Sequence, residues 1–400
     1  MRSAPRNLRL HIGFLGRRNV GKSSLLNALA GQEVAIVSPT PGTTTDPVEK
    51  PMELLPLGPV VLVDTAGVDD EGALGEMRIS RTRRVIERVD LAVLVVDGEL
   101  REFEENLIDE LRARGVTTLV CFNKADEIRP EQRALNDLSV RGIPYVVASA
   151  KTGDGVEELR QALLRAAPED HFEARRIVGD LVGAGDLVVL VVPIDDEAPK
   201  GRLILPQVQT LRDLLDSDAA AVVTKESGLS RVLSVLERPP KLIVTDSQAF
   251  EHVMSTAPES VPVTSFSILF ARLQGDLGEM VKGARSIEHL RDGDKVLVAE
   301  GCSHHPIGED IGRVKIPRWL RKYSGAELFF ETVAGRDFPE DLSPYKLVIH
   351  CGNCMGNRRE MLSRILRCSQ ANVPITNYGI TLALSLGILD RALRPFSPSH

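Results

Sequence analysis

At 400 residues the chain is too long for one ordinary hydrophobic core, so two or three domains are expected. Its 43% hydrophobic and 26% charged residues are those of a globular protein, and a net charge of -7 leaves no global nucleic-acid footprint. No uninterrupted apolar run reaches the roughly 18 residues that span a bilayer, and the N-terminus has arginines but no cleavable apolar segment. Neither nucleic acid nor membrane is therefore expected as a partner, and the reducing cytoplasm is the expected location. Five cysteines, few and odd in number, argue against a disulfide framework.

In chain order, an apolar run from Leu10 to Leu15 predicts a strand, and Ser24 to Leu29 carries a helical apolar period. Between them Gly16-Arg-Arg-Asn-Val-Gly21-Lys22-Ser23 matches G-x-x-x-x-G-K-[ST] in the strand, loop, helix setting that motif requires. Such a loop turns backbone N–H groups, here including those of Asn19, Val20, Gly21 and Ser24, toward phosphate oxygens at the positive end of a helix. Lys22 would reach the β- and γ-phosphates and the Ser23 hydroxyl would bind Mg²⁺. The segment from Val34 to Pro47 is rich in Ser, Thr, Pro and Gly and predicts a loop, in which Thr44 is the residue expected to close over Mg²⁺ and the γ-phosphate.

A strand from Val60 to Val63 runs into Asp64-Thr65-Ala66-Gly67, where Asp64 can hold a Mg²⁺ water and the Gly67 N–H can approach the γ-phosphate. Further strands, Leu91 to Val96 and Thr118 to Phe122, precede Asn123-Lys124-Ala125-Asp126. The Asp126 carboxylate can accept both Watson-Crick-edge donors of guanine, which adenine lacks, so GTP and GDP are the expected nucleotides. Tyr145 to Ala148 then leads to Ser149-Ala150-Lys151, which can add a backbone contact to the base. Five motifs in order at strand-to-loop junctions resemble the translation-factor-like GTPases of the TrmE and Era type. Val68 stands where the Ras-like pattern has a water-orienting glutamine, so another device is needed; Glu76 is a candidate only by its position. Asn19 with Gly42-Thr43-Thr44 resembles the GTPases in which an asparagine holds K⁺ between the phosphates, which implies slow, K⁺-stimulated hydrolysis with Lys22, Asn19, Thr44 and Gly67 at the reacting phosphate.

The first domain is placed at residues 1–170. Residues 177–265 alternate strand and helix: Leu187 to Val192, Gln207 to Leu215, Ala219 to Val223, Leu229 to Leu236, Leu242 to Thr245, a helix from Phe250, and Val261 to Thr264. That alternation predicts an α/β domain on a parallel sheet, with no catalytic or metal spacing of its own. In residues 267–400 two predicted strands end in candidate ligands: Lys295 to Ala299 before Cys302-Ser303-His304-His305, and Lys346 to Ile349 before His350-Cys351-Gly352-Asn353-Cys354. Loops at the carboxyl ends of parallel strands share one edge, so the three thiols can converge there. The spacing alone leaves zinc, with His304 or His350 as fourth ligand, an iron-sulfur cluster and a redox thiol open.

Taken whole, a GTPase domain followed by Cys302-x-His304 and, 45 residues on, His350-Cys351-x-x-Cys354 is similar to the HydF family, the GTPases of FeFe-hydrogenase maturation. Ala198-Pro199-Lys200-Gly201-Arg202-Leu203-Ile204-Leu205-Pro206-Gln207 resembles that family's dimerisation domain. The resemblance implies a homodimer or higher self-assembly, and a 4Fe-4S cluster on Cys302, Cys351 and Cys354 with one replaceable position. It also implies carriage of a transient diiron precursor from radical-SAM maturases to the apo-FeFe-hydrogenase. The competing expectation is a ribosome-assembly or RNA-modification GTPase whose C-terminal domain is stabilised by zinc.

Overall fold

The computed structural model describes residues 9–31, 48–54, 57–65, 83–168, 175–193, 203–301, 311–335, 337–354 and 356–396. The chain forms two compact units, Met1–Ala174 and Arg175–His400. Both are mixed α/β.

The first unit is built on a six-stranded sheet in the order β2-β3-β1-β4-β5-β6. Its strands are β1 (Leu10–Leu15), β2 (Val48–Leu54), β3 (Gly58–Asp64), β4 (Leu91–Val96), β5 (Thr117–Phe122) and β6 (Tyr145–Val147). Only β2 runs antiparallel to its neighbour. Helices on both faces explain why β1 and β4 are buried at every residue, β4 being an unbroken apolar run. The register pairs Phe14 with Asp64, so the end of β3 lies beside the chain as it leaves β1 for the Gly-rich loop. That loop enters the helix Lys22–Ala30, which buries Leu25, Leu26 and Leu29 against the sheet.

The second unit carries two four-stranded, all-parallel sheets. One, in the order β10-β9-β7-β8, contains β7 (Leu187–Val191), β8 (Ala220–Thr224), β9 (Leu242–Thr245) and β10 (Val263–Ser265). The other, in the order β12-β11-β13-β14, contains β11 (Lys295–Glu300), β12 (Phe329–Ala334), β13 (Leu347–His350) and β14 (Ile375–Asn377).

The two sheets share apolar core. Phe250, Ile268 and Ala271 pack with Leu297, Val348 and Ile375, while Leu269 and Phe270 of the same helix, Phe266–Gln274, pack with Val188, Leu190 and Leu242 of the other sheet. The helix starts at Ser265, whose hydroxyl accepts from the Ile268 N–H. Polar ties cross the same boundary: Asn377 Nδ2 donates to Ser267 O at 3.0 Å, and the Arg391 guanidinium donates to the carbonyls of Met254, Ala257 and Pro258. The boundary expected between residues 265 and 267 thus falls at a helix that belongs to both cores.

Candidate functional site

The Gly-rich loop is held in a left-handed geometry at several points, with φ of 139° at Gly16, 59° at Asn19 and 89° at Gly21. A side chain at Gly16 would collide with Val95 O, and one at Gly21 with the Asn123 carboxamide, so glycine is needed at both for space as well as conformation. Lys22 Nζ donates to Gly16 O at 3.0 Å and to Arg17 O at 2.7 Å, which ties the loop into a ring around its own ammonium group. Ser23 Oγ donates to Asp64 Oδ2 at 2.5 Å. Burial pushes the Asp64 carboxyl above the ordinary carboxylate range, against the opposing effects of Ser23 and Lys22, and its Oδ1 has no hydrogen-bond partner among the described residues. A hydroxyl and a buried carboxylate with an unused oxygen are the hard donors a divalent cation such as Mg²⁺ takes.

A cavity of about 390 Å³ opens beside Gly21 and Ser24 and is lined by Lys124, Asp126, Ser149 and Lys151. Asp126 Oδ1 accepts from Ser149 Oγ at 2.6 Å, and this bond holds its carboxyl below the usual range, with Lys151 Nζ 3.6 Å from the other oxygen. Asn123 serves as a brace: Nδ2 donates to Val20 O at 2.9 Å and Oδ1 accepts from the Ala150 N–H at 3.0 Å, joining the phosphate loop to the Ser149-Ala150-Lys151 loop. Thr44, Gly67, Val68 and Glu76 lie outside the described residues.

One further member of this site carries no motif signal, because it occupies a variable position of the loop. Arg17 Nε donates to Glu104 Oε1 at 2.6 Å and its Nη2 to Asp97 Oδ1 at 2.9 Å. Glu104 is fully buried and also accepts from the Arg101 N–H at the start of the helix Glu102–Ala113, so the phosphate loop is anchored to that helix.

In the second unit, β11 and β13 are parallel neighbours with Ala299 opposite His350, and the Cys351 N–H donates to Ala299 O at 2.8 Å. Beyond the strands, Cys351 Sγ accepts from the Gly301 N–H at 2.9 Å and from the Asn353 N–H at 3.4 Å. Gly301 immediately precedes Cys302, which lies outside the described residues with His304 and His305. Cys354 is partly exposed three residues before Asn357, the N-cap of the helix Arg358–Gln370, whose Oδ1 accepts from the Glu360 N–H. Among the described residues no three His, Cys, Asp or Glu side chains form a metal-binding group.

His350 is fully buried with both ring nitrogens engaged. Nδ1–H donates to Cys351 O at 2.8 Å, and Nε2 accepts from Arg364, which also bonds Glu360 Oε1 and Gly335 O at 2.8 Å each. Burial, together with the Arg364 cation, pushes its pKa down to about 3, so the ring is neutral and is held as a spacer between the cysteine loop and the helix. Cys121 and Cys368 are buried thiols pushed up to about 12 and are inert.

The loop and the guanine-side cavity define the class, a P-loop GTPase, and residues 11–124 match the family of 50S ribosome-binding GTPases. Such a domain hydrolyses GTP to GDP with Mg²⁺. Residues 177–275 match the hydrogen maturase F dimerization domain, and residues 278–395 the hydrogen maturase F tetramerization domain. With both of these behind a GTPase domain, the chain belongs to the HydF-type hydrogenase maturation GTPases. The two matched domains support self-association, and the region expected to bind the cluster is the one that matches the tetramerization model.

Among curated relatives, the tRNA modification GTPases MnmE of Nitrosomonas europaea and Paraburkholderia xenovorans are each 41% identical, over 161 and 163 residues. The match covers 40% of this chain in both cases and 35% and 34% of theirs, so the chain spans about a third of the length of the relatives it matches. Of solved structures, a variant of Aquifex aeolicus Era bound to GDP·AlF₄⁻ is 19% identical with a TM-score of 0.37, covering 62% of this chain and 97% of that one. The G domain of the T. maritima FeoB iron transporter is 23% identical with a TM-score of 0.31, covering 40% and 98%. Likenesses at those scores carry no argument. Among the described residues no helix is long and apolar enough to cross a membrane.

Proposed function

We propose that the chain is a GTP-hydrolysing scaffold of FeFe-hydrogenase maturation, holding a 4Fe-4S cluster on Cys302, Cys351 and Cys354 and passing a diiron precursor to the apo-hydrogenase. The observation that carries it is the 2.9 Å bond from the Gly301 N–H to Cys351 Sγ across the β11–β13 pair. It brings the residue that precedes one cysteine onto the sulfur of another, 50 positions along the chain. Two backbone donors on one sulfur stabilise its thiolate, which is the form that binds iron, so the donor set fits the cluster. When bound, a cluster with three protein thiolates supplies one iron open to an exchangeable ligand, the point where the diiron unit would attach.

The residues of the chain divide the work. Lys22 leaves its carbonyl partners for the phosphates, Ser23, Thr44 and Asp64 hold Mg²⁺, and Asp126, set ionised by Ser149, reads the guanine edge. Asn19 holds K⁺ in place of an arginine finger, and the Gly67 N–H meets the γ-phosphate; equal turnover in Na⁺ and K⁺ would remove that role from Asn19. His350, neutral and bonded at both nitrogens, orients the loop, so of His304 and His350 the proposed iron ligand is His304. The precursor would come from radical-SAM maturases in the cytoplasm, and residues 177–265 and 267–400 act as dimerisation and cluster domains.

Anaerobic reconstitution with iron and sulfide, followed by EPR and metal analysis, tests the proposal. A reducible cluster near one per chain is expected; stoichiometric zinc with no reducible cluster would overturn it. The competing RNA-modification reading draws on a relative matched over only 40% of the chain, the GTPase part.

A further inference from the structure

The loop between Cys351 and Cys354 contains a side chain whose position the nucleotide and cysteine chemistry above does not use. Asn353 is 2% exposed and adopts a left-handed backbone with φ of 48°. Asparagine is among the few side chains that tolerate that conformation, so the backbone alone would be served by Asn or, better, by Gly. The carboxamide, however, is buried with neither Oδ1 nor Nδ2 hydrogen-bonded among the described residues. Leaving a buried amide group unsatisfied is destabilising, a penalty glycine at this position would avoid.

The place of that carboxamide indicates what it is for. A side chain at Gly301 would collide with Asn353 Oδ1, and one at Gly356 with both carboxamide heteroatoms. Gly301 precedes Cys302 by one residue and Gly356 follows Cys354 by two, so the amide lies between the chain entering one cysteine and the chain leaving another. The Asn353 N–H is already directed at Cys351 Sγ. Both neighbours are glycines, which removes the side chains that would otherwise fill the space or pair with the amide.

We infer that the Asn353 carboxamide is a positioning residue for the cysteine cradle, donating from Nδ2 to a thiolate or sulfide sulfur of the bound cluster and thereby setting its potential. The inference rests on the proposed three-cysteine cluster. Interchanging the amide oxygen and nitrogen still presents one donor group and one acceptor, so the role survives either assignment. A donor to sulfur stabilises the more negative, reduced state and raises the reduction potential, while a carboxylate in its place lowers it.

The test is an EPR-monitored redox titration of the reconstituted full-length protein, comparing wild type with Asn353→Gly and Asn353→Asp. Glycine keeps the left-handed backbone and deletes the donor; aspartate keeps the shape and replaces the donor with charge. With iron content equal to wild type, Asn353→Gly should lower the reduced-to-oxidised ratio at fixed potential about tenfold, a downward shift of about 59 mV for one electron. Asn353→Asp should shift in the same direction and further. Unchanged potentials in both variants would reduce Asn353 to a filler of a left-handed position and overturn the inference, while leaving the cluster proposal intact. Loss of iron from both variants would assign Asn353 to the folding of the loop and overturn it equally. A wild-type protein that takes up no reducible cluster would instead sink the cluster proposal and this one with it.

Discussion

The nucleotide loop and the cysteine loop are both strand-to-helix connections at the carboxyl ends of parallel strands, yet their polar groups are organised in opposite ways. In the first, Lys22 is spent on the loop's own carbonyls, Ser23 on Asp64, and Asn123 on Val20 and Ala150. In the second, donors converge on a single sulfur, Cys351 Sγ, and a buried carboxamide beside it stays unpartnered among the described residues. A site whose groups satisfy one another can exchange those bonds for phosphate and recover them, as a cycle of hydrolysis and release requires. A site whose donors converge on one sulfur fixes the place of that sulfur instead.

The sharpest way to break that contrast is to delete the cysteines. Cys302→Ala, Cys351→Ala and Cys354→Ala should each abolish iron retention, read by metal analysis, with GTP turnover within about twofold of wild type, since the cysteines and the nucleotide residues lie in different units. Normal iron retention by all three would end the cluster assignment. Lys22→Ala should do the converse, lowering GTP hydrolysis by about 10²–10³-fold in a phosphate-release assay while iron content is unchanged. A smaller, structural effect is expected at Arg17. Arg17→Met leaves the buried Glu104 carboxylate without its guanidinium and should destabilise the first unit by about 3 kcal/mol in urea titration, with wild-type stability arguing against the anchor.

The smallest effect is in pH. Asp126 has its folded-state pKa depressed, chiefly by Ser149, so its carboxylate is ionised above that value and lost only as the pH falls through it. GDP affinity, followed by calorimetry, should therefore be flat between about pH 5 and 8. Ser149→Ala should let the acid limb begin at higher pH; identical acid limbs would show that Ser149 does not set the charge.

How much of this is visible in the residues themselves depends on distance along the chain. The loops after β1, β3 and β5 are recognisable because each follows an apolar run and keeps its chemistry within a few consecutive positions. The cysteine edge is recognisable for a related reason, since parallel strands deliver their carboxyl ends to one side. Neither β12, partly exposed along its length, nor the three-residue β14 gives a clean period. The pairing of Arg17 with Glu104 joins residues 87 positions apart and has no local signature. His350 shows the limit most clearly: a histidine beside a cysteine looks like a ligand in sequence, and only packing against Arg364 reveals that both its nitrogens are engaged.

The helix Phe266–Gln274 has Ile268 and Ala271 turned into one core and Leu269 and Phe270 into the other, so the two sheets of the second unit should melt in a single transition. Neither half can be trimmed away without exposing that apolar surface, so fragments cut at this helix should precipitate rather than fold. Damage at the cysteine edge would then register as heat-lability of the region matched to dimerization.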